Sequence, residues 1–147
     1  MSKDFFDKYI EKIQSEIIEE AIERYNKYIV ELIQNPKNWG KPNSSETNTW
    51  YTYEGPCGDT MQFFLRIEND KIKKANFITD GCGATVAAGS QTTVLIEGKS
   101  IEFAQSLKPS DIDKALGGLP NGHKHCAELA IRTLNGAIEK YLMQHIR

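Results

Sequence analysis

Cysteine is scarce in this 147-residue chain, and so is any excess of one charge. The three cysteines, Cys57, Cys82 and Cys126, are odd in number and widely spread. A disulfide framework wants an even, denser set, so none is expected. The expectation is a reduced, cytoplasmic protein, where such cysteines serve more often as ligands or nucleophiles than as staples. With 18 Lys plus Arg against 20 Asp plus Glu, the net charge is −2. That balance offers no basic face for phosphate contacts, so no nucleic-acid partner is expected. No apolar run nears the roughly 20 residues that cross a bilayer, which leaves no membrane span to expect. The opening MSKDFFDKYIEK lacks the apolar stretch of a secretory signal. Internal repeats and low-complexity tracts are also missing. What remains is a chain long enough for one domain with a buried core.

Apolar residues recur in steps of three and four from Tyr9/Ile10 through Ile17/Ile18 and Tyr25 to Leu32/Ile33. This spacing predicts one long amphipathic helix over residues 1–34, ending at Asn35-Pro36, because proline disfavours helix in the residue before it. Its isoleucine- and tyrosine-rich stripe would cover the core or serve homo-oligomerisation. Residues 35–147 form the body of the same single domain. A breaker-rich loop follows the helix. Then Trp50–Tyr53, Thr60–Glu68 and Lys71–Thr79 read as strands, the last two joined by a turn at Asn69-Asp70. From Ala84 onward the chain is helical: a small-residue helix at Ala84–Ile96, a short one at Ile101–Ser106 capped by Ser100, and another at Asp111–Leu116. For that third helix Ser110 and Asp113 resemble a capping box. The last helix runs from about His125 to His145. The order predicts an α+β fold, a small antiparallel sheet of about three strands packed against several helices.

Each cysteine lies at a glycine-rich turn or at a helix start. Cys57 sits in Gly55-Pro-Cys-Gly-Asp59, Cys82 in Asp80-Gly-Cys-Gly83, and Cys126 directly after His125. Helix N-termini favour thiolate, the form that binds metal and attacks sulfur. Three sulfurs, the Asp59 carboxylate and the His125 imidazole make a ligand set suited to zinc or to an iron–sulfur cluster. Gaps of 25 and 44 residues match no compact zinc ribbon or finger. Such a site would exist only in the folded domain. The competing readings are three buried core cysteines or a purely structural zinc site. His123 reads as a surface histidine with an alternate-ligand role in reserve.

Five landmarks then coincide in order: Asn35-Pro-Lys-Asn-Trp-Gly40, Gly55-Pro-Cys-Gly-Asp-Thr-Met61, Thr79-Asp-Gly-Cys-Gly-Ala84, Gly98-Lys-Ser100 and His125-Cys126. With them the chain, from about residue 25 onward, resembles the NifU-like, IscU-type iron–sulfur cluster assembly scaffolds. The resemblance implies a SufE/NifU-like fold and a carrier in place of an enzyme. It implies a transient [2Fe–2S] cluster, built from iron and desulfurase-derived sulfur and passed to apo-protein recipients. The implied ligands are Cys57, Asp59, Cys82, His125 and Cys126, with Zn²⁺ able to bind at the same residues. The implied partners are a cysteine desulfurase and an iron donor. Cys126 is the first candidate for persulfide acceptor and Cys57 the second. The alternative is a zinc-dependent sulfur acceptor of a desulfurase; the 44-residue gap lacks the insertion of that branch. One motif departs from the family. Leu119-Pro-Asn-Gly-His-Lys-His-Cys126 has Asn121 for the second proline and His123 for a lysine, so the resemblance does not extend to the Hsp70-type chaperone that reads it.

Overall fold

The computed structural model describes residues 25–145. Three strands, β1 (Thr49–Glu54), β2 (Thr60–Glu68) and β3 (Lys71–Thr79), form one antiparallel sheet in sequence order. Asn69 and Asp70 both take positive φ, the pair of angles a tight hairpin turn needs. Alternation along β2 sends Met61, Phe63, Leu65 and Ile67 to one face, all fully buried. A register shift between Arg66 and Ile67 completes the ladder to β3.

Five α-helices lie among the described residues: α1 (Lys27–Gln34), α2 (Gly83–Ile96), α3 (Ile101–Ser106), α4 (Pro109–Ala115) and α5 (His125–Gln144). The fold is therefore α+β, with the sheet and helices that the sequence predicts. Helix α2 is buried almost all round, and its small residues let β3, α1 and α5 close on it. Its polar side chains are satisfied: Ser90 Oγ accepts from Lys37 N at 2.7 Å, and Thr92 and Thr93 donate back along the helix. Helix α5 crosses the inner face of the sheet, where Gly136 meets the Tyr51 ring. A Cβ there would fall 2.2 Å from Tyr51 Cδ2.

The single long N-terminal helix is corrected. Asn26 is extended (φ −81, ψ 169), and its Oδ1 accepts from Ile29 N at 2.8 Å, so that α1 starts at Lys27. Its Nδ2 also donates to Leu116 O at 2.7 Å. A cap and a tertiary bond at one residue override the helical periodicity. The part of the expected helix before Tyr25 lies outside the described residues. Helix α1 belongs to the main core, since Ile29 and Leu32 share one cluster with Phe63 and Leu134. The expected capping box is also displaced: Asp111 Oδ2 accepts from Lys108 N at 2.8 Å. Asp113 turns elsewhere, accepting from Leu119 N at 2.7 Å and pairing with Lys124 at 2.9 Å. It thereby ties down the loop between α4 and α5.

Candidate metal centre

Four segments converge at one end of the molecule. The β1–β2 turn brings Cys57 and Asp59. It is closed by Gly55 N donating to Asp59 O at 2.8 Å, with Gly58 at φ +91. Cys82 is the N-cap residue of α2. The loop before α5 carries His123 in a 3₁₀ turn, and α5 opens with His125 and Cys126.

The donor atoms fall into two adjoining groups, Cys82–His123–Cys126 and Cys57–Asp59–His125, each with its atoms within 4.8 Å of one another. In the first, Cys82 Sγ lies 3.9 Å from His123 Nδ1. The two groups meet where Cys126 Sγ lies 3.9 Å from His125 Nε2. They also meet at Thr85. Its Oγ1 is 3.3 Å from Cys126 Sγ, 3.6 Å from Cys82 Sγ and 3.4 Å from Asp59 Oδ2. All five residues expected from the sequence thus stand in two adjoining donor groups at this end of the molecule.

Exposure divides them. Cys57 and Cys82 are exposed, whereas Cys126 is wholly buried. Burial pushes the Cys126 thiol up to about 11, helped by the charges of Cys82 and Asp59 and opposed by the Thr85 hydroxyl. Burial also pushes Cys82 up, but the Thr85 N–H and hydroxyl, the Ala84 N–H and the Cys126 thiol outweigh it. Cys82 therefore settles below the ordinary thiol value. The helix-start argument holds for Cys82 and fails for Cys126, where desolvation dominates. In the metal-free site Cys82 is the readier thiolate and Cys126 the held thiol.

One residue escaped the sequence reading, and a second had only a reserve role in it. Thr85 was unremarkable, although it lies three residues after Cys82 and so on the same face of a helix. His123 is only half-exposed; its ring lies 5.7 Å from that of Tyr25 and stacks on His125 at 6.5 Å. It stands in the donor cluster, the position its reserve role as an alternate ligand requires, and is less exposed than a surface histidine. Lys124, its neighbour, is spent on Asp113. Beside Cys57 and His125 opens a cleft of about 220 Å³, floored by Tyr53, Pro56 and Leu129.

Residues 24–147 match the model of the NifU-like N terminal domain. The chain belongs to that family. This NifU-like chain is 38% identical over 126 residues to the iron-sulfur cluster assembly scaffold protein IscU of Aquifex aeolicus, covering 84% of this chain and 79% of that one. It is 36% identical to the iron-sulfur cluster assembly protein IscU of Plasmodium falciparum, over 82% and 75% of the two chains. Among solved structures, the N-terminal NifU-like protein of Brucella abortus superposes with a TM-score of 0.64 at 17% identity. The match covers 84% of this chain and 98% of that one. That likeness is one of fold. No helix among the described residues is long and apolar enough to cross a membrane.

Proposed function

We propose that this NifU-like chain is an IscU-type scaffold on which a transient [2Fe–2S] cluster is assembled and from which it is handed to apo-proteins. The observation that carries the reading is the convergence of three sulfurs, one carboxylate and two imidazoles from separate segments into two adjoining, partly exposed donor groups. A [2Fe–2S] cluster takes four protein ligands, with thiolate the preferred donor. The three cysteines supply three, and Asp59 or His125 the fourth. Carboxylate oxygen is a harder donor than sulfur and a poorer match to cluster iron. Asp59 therefore keeps one bond weak, which a delivery site needs and a storage site avoids.

Sulfur arrives as the outer atom of a persulfide on a cysteine desulfurase. A scaffold thiolate attacks that atom. A new S–S bond forms on the scaffold, the donor's S–S bond breaks, and the donor cysteine leaves as thiolate. Conversion of each sulfane sulfur to sulfide takes two electrons from an external reductant. Iron comes from a separate donor. The exposed Cys57, beside its cleft, and the thiolate-prone Cys82 are the accessible entry points. Cys126, buried, joins as a ligand once a metal displaces its proton.

Anaerobic incubation with iron, cysteine and a desulfurase tests this. Wild type gains visible charge-transfer absorption, and Cys57→Ser, Cys82→Ser and Cys126→Ser each lose it. A colourless protein that still speeds sulfide release would overturn the scaffold reading in favour of a zinc-dependent sulfur acceptor.

A further inference from the structure

The helices pack on one face of the sheet, with α5 across β1 and β2 and α2 against β3. On the opposite face, Thr52, Gln62 and Ile78 stand in one row across the three strands. Trp39, beside the edge of β3, walls this row, and Thr60 and Asp80 close it at one end. Together they line an open hollow of about 390 Å³, within the size range of ordinary ligand clefts. The lining is mostly apolar. Trp39 is 47% exposed, although its ring is braced edge-on by Phe77 at 5.3 Å. No residue of the hollow belongs to the two donor groups.

The rim carries one sign of charge. Asp80 Oδ1 accepts from Thr60 N at 2.7 Å, which fixes this carboxylate at the end of the hollow. Glu54 faces Thr60 across the ladder, on the same side of β1 as Thr52. Among the described residues neither carboxylate has an ion-pair partner, and no lysine or arginine lines the hollow. The basic side chains elsewhere on that side of the sheet are taken. Arg66 pairs with Glu68, Lys74 with Glu46, and Lys140 lies over the Trp50 ring at 3.6 Å.

We infer that this hollow is a docking site for a segment of a partner protein that presents an arginine beside an aliphatic side chain. The inference is independent of what the donor groups bind. A guanidinium is weakly hydrated, stacks on an indole and pairs with carboxylates, so Trp39 with Asp80 and Glu54 offers both kinds of contact. An aliphatic side chain two residues away on an extended segment projects to the same side, where it covers Ile78 and the threonine methyls. The occupant comes from another protein. Residues 1–24 of this chain carry seven acidic and four basic side chains, and the whole chain has a net charge of −2, the wrong sign for this rim.

The test uses the full chain and an acetylated, amidated Leu-Thr-Arg-Thr-Leu peptide, with versions carrying Gln or Glu in place of Arg. NMR titration should move the amides of Thr52, Gln62 and Ile78 and the Trp39 indole. In Trp50→Phe, Trp39 is the sole tryptophan, and its emission should follow the same saturation curve. The arginine peptide should bind about threefold more tightly than the glutamine peptide, and the glutamate peptide should bind least. Asp80→Asn, which keeps an acceptor for Thr60 N, and Glu54→Gln should each remove about half of that preference, and added salt should reduce it. Trp39→Leu should weaken the arginine peptide at least about threefold.

Equal affinity for the three peptides, a preference untouched by both carboxylate variants, shifts centred elsewhere, or no saturation below about 10 mM arginine peptide would overturn the inference. So would a dimer in sedimentation that Trp39→Leu dissolves, which would assign the hollow to a second copy. Shielding of Trp39 from acrylamide that Ile13→Asp relieves would assign it to residues 1–24, with the same result. Thermal melts of each variant separate lost docking from lost folding. Where one carboxylate variant melts early, the other and the salt series decide.

Discussion

Cys82 and Cys126 share one threonine yet shift in opposite directions in acidity, because one faces solvent at a helix start and the other is buried. The metal-free protein at pH 7 should therefore be alkylated at Cys82 well before Cys126. Mass spectrometry of a time course would check the order. The Cys126 thiol moves from the ordinary 9.0 to about 11 on folding, so the folded state holds its proton longer. Its contribution to stability is complete below about pH 9 and is lost as pH rises toward 11. The loss is on the order of 2–3 kcal/mol in the metal-free form. Urea titrations at pH 8 and 10.5 should show it, and Cys126→Ser should flatten the difference. Thr85 is the second test at this scale. Thr85→Val keeps the shape and removes the hydroxyl that lowers Cys82. Alkylation of Cys82 at pH 7.5 should slow severalfold, with Thr85→Ser retaining the wild-type rate. An unchanged rate in the valine variant would show that the backbone N–H groups act alone.

Elements were legible where local pattern and tertiary packing agree. Thr60–Glu68, rich in β-formers, and Lys71–Thr79 flank a turn that takes positive φ, and they form strands over those residues. Ser100 caps α3 as its sequence predicts, with Phe103 N donating to Ser100 Oγ at 3.0 Å. The failures lie where a side chain answers to a distant partner. Asn26 stands outside the helix expected to run through it because Leu116 O, 90 residues away, accepts from its amide. Asp113 leaves its expected cap for Leu119 and Lys124. Turns and family landmarks pointed to Cys57, Asp59, Cys82, His125 and Cys126, and the fold brings their donor atoms near one another. Thr85 carried no signal and His123 only a reserve one, because their positions depend on which neighbours the fold supplies. Asn26→Ala removes both the cap of α1 and the bond to Leu116. It should cost about 1–2 kcal/mol and lower the Tm by about 3–6 °C in a thermal melt. Asn26→Ser, which retains the cap alone, should recover about half.

For the molecule as a whole, the buried α2 is the frame. It sets Cys82 at its N-terminus and Thr85 one turn in, and it packs between the sheet that carries the Cys57 turn and the helix that opens with His125-Cys126. The donors are drawn from separate segments, so they come together only when the domain is folded, and Asp59 lies on a turn between strands. In the proposed scaffold, folding, metal binding and release are thereby coupled. On that proposal a site of four thiolates on one rigid element would hold its cargo, and one that includes a carboxylate would let go. The most direct test compares the lifetime of the desulfurase-built cluster in wild type and in Asp59→Ala, with its transfer to an apo-ferredoxin followed by visible absorption. The account predicts a longer-lived cluster and slower transfer in the variant. A shorter-lived cluster, or transfer as fast as wild type, would show that the carboxylate holds the cluster in place and would contradict it.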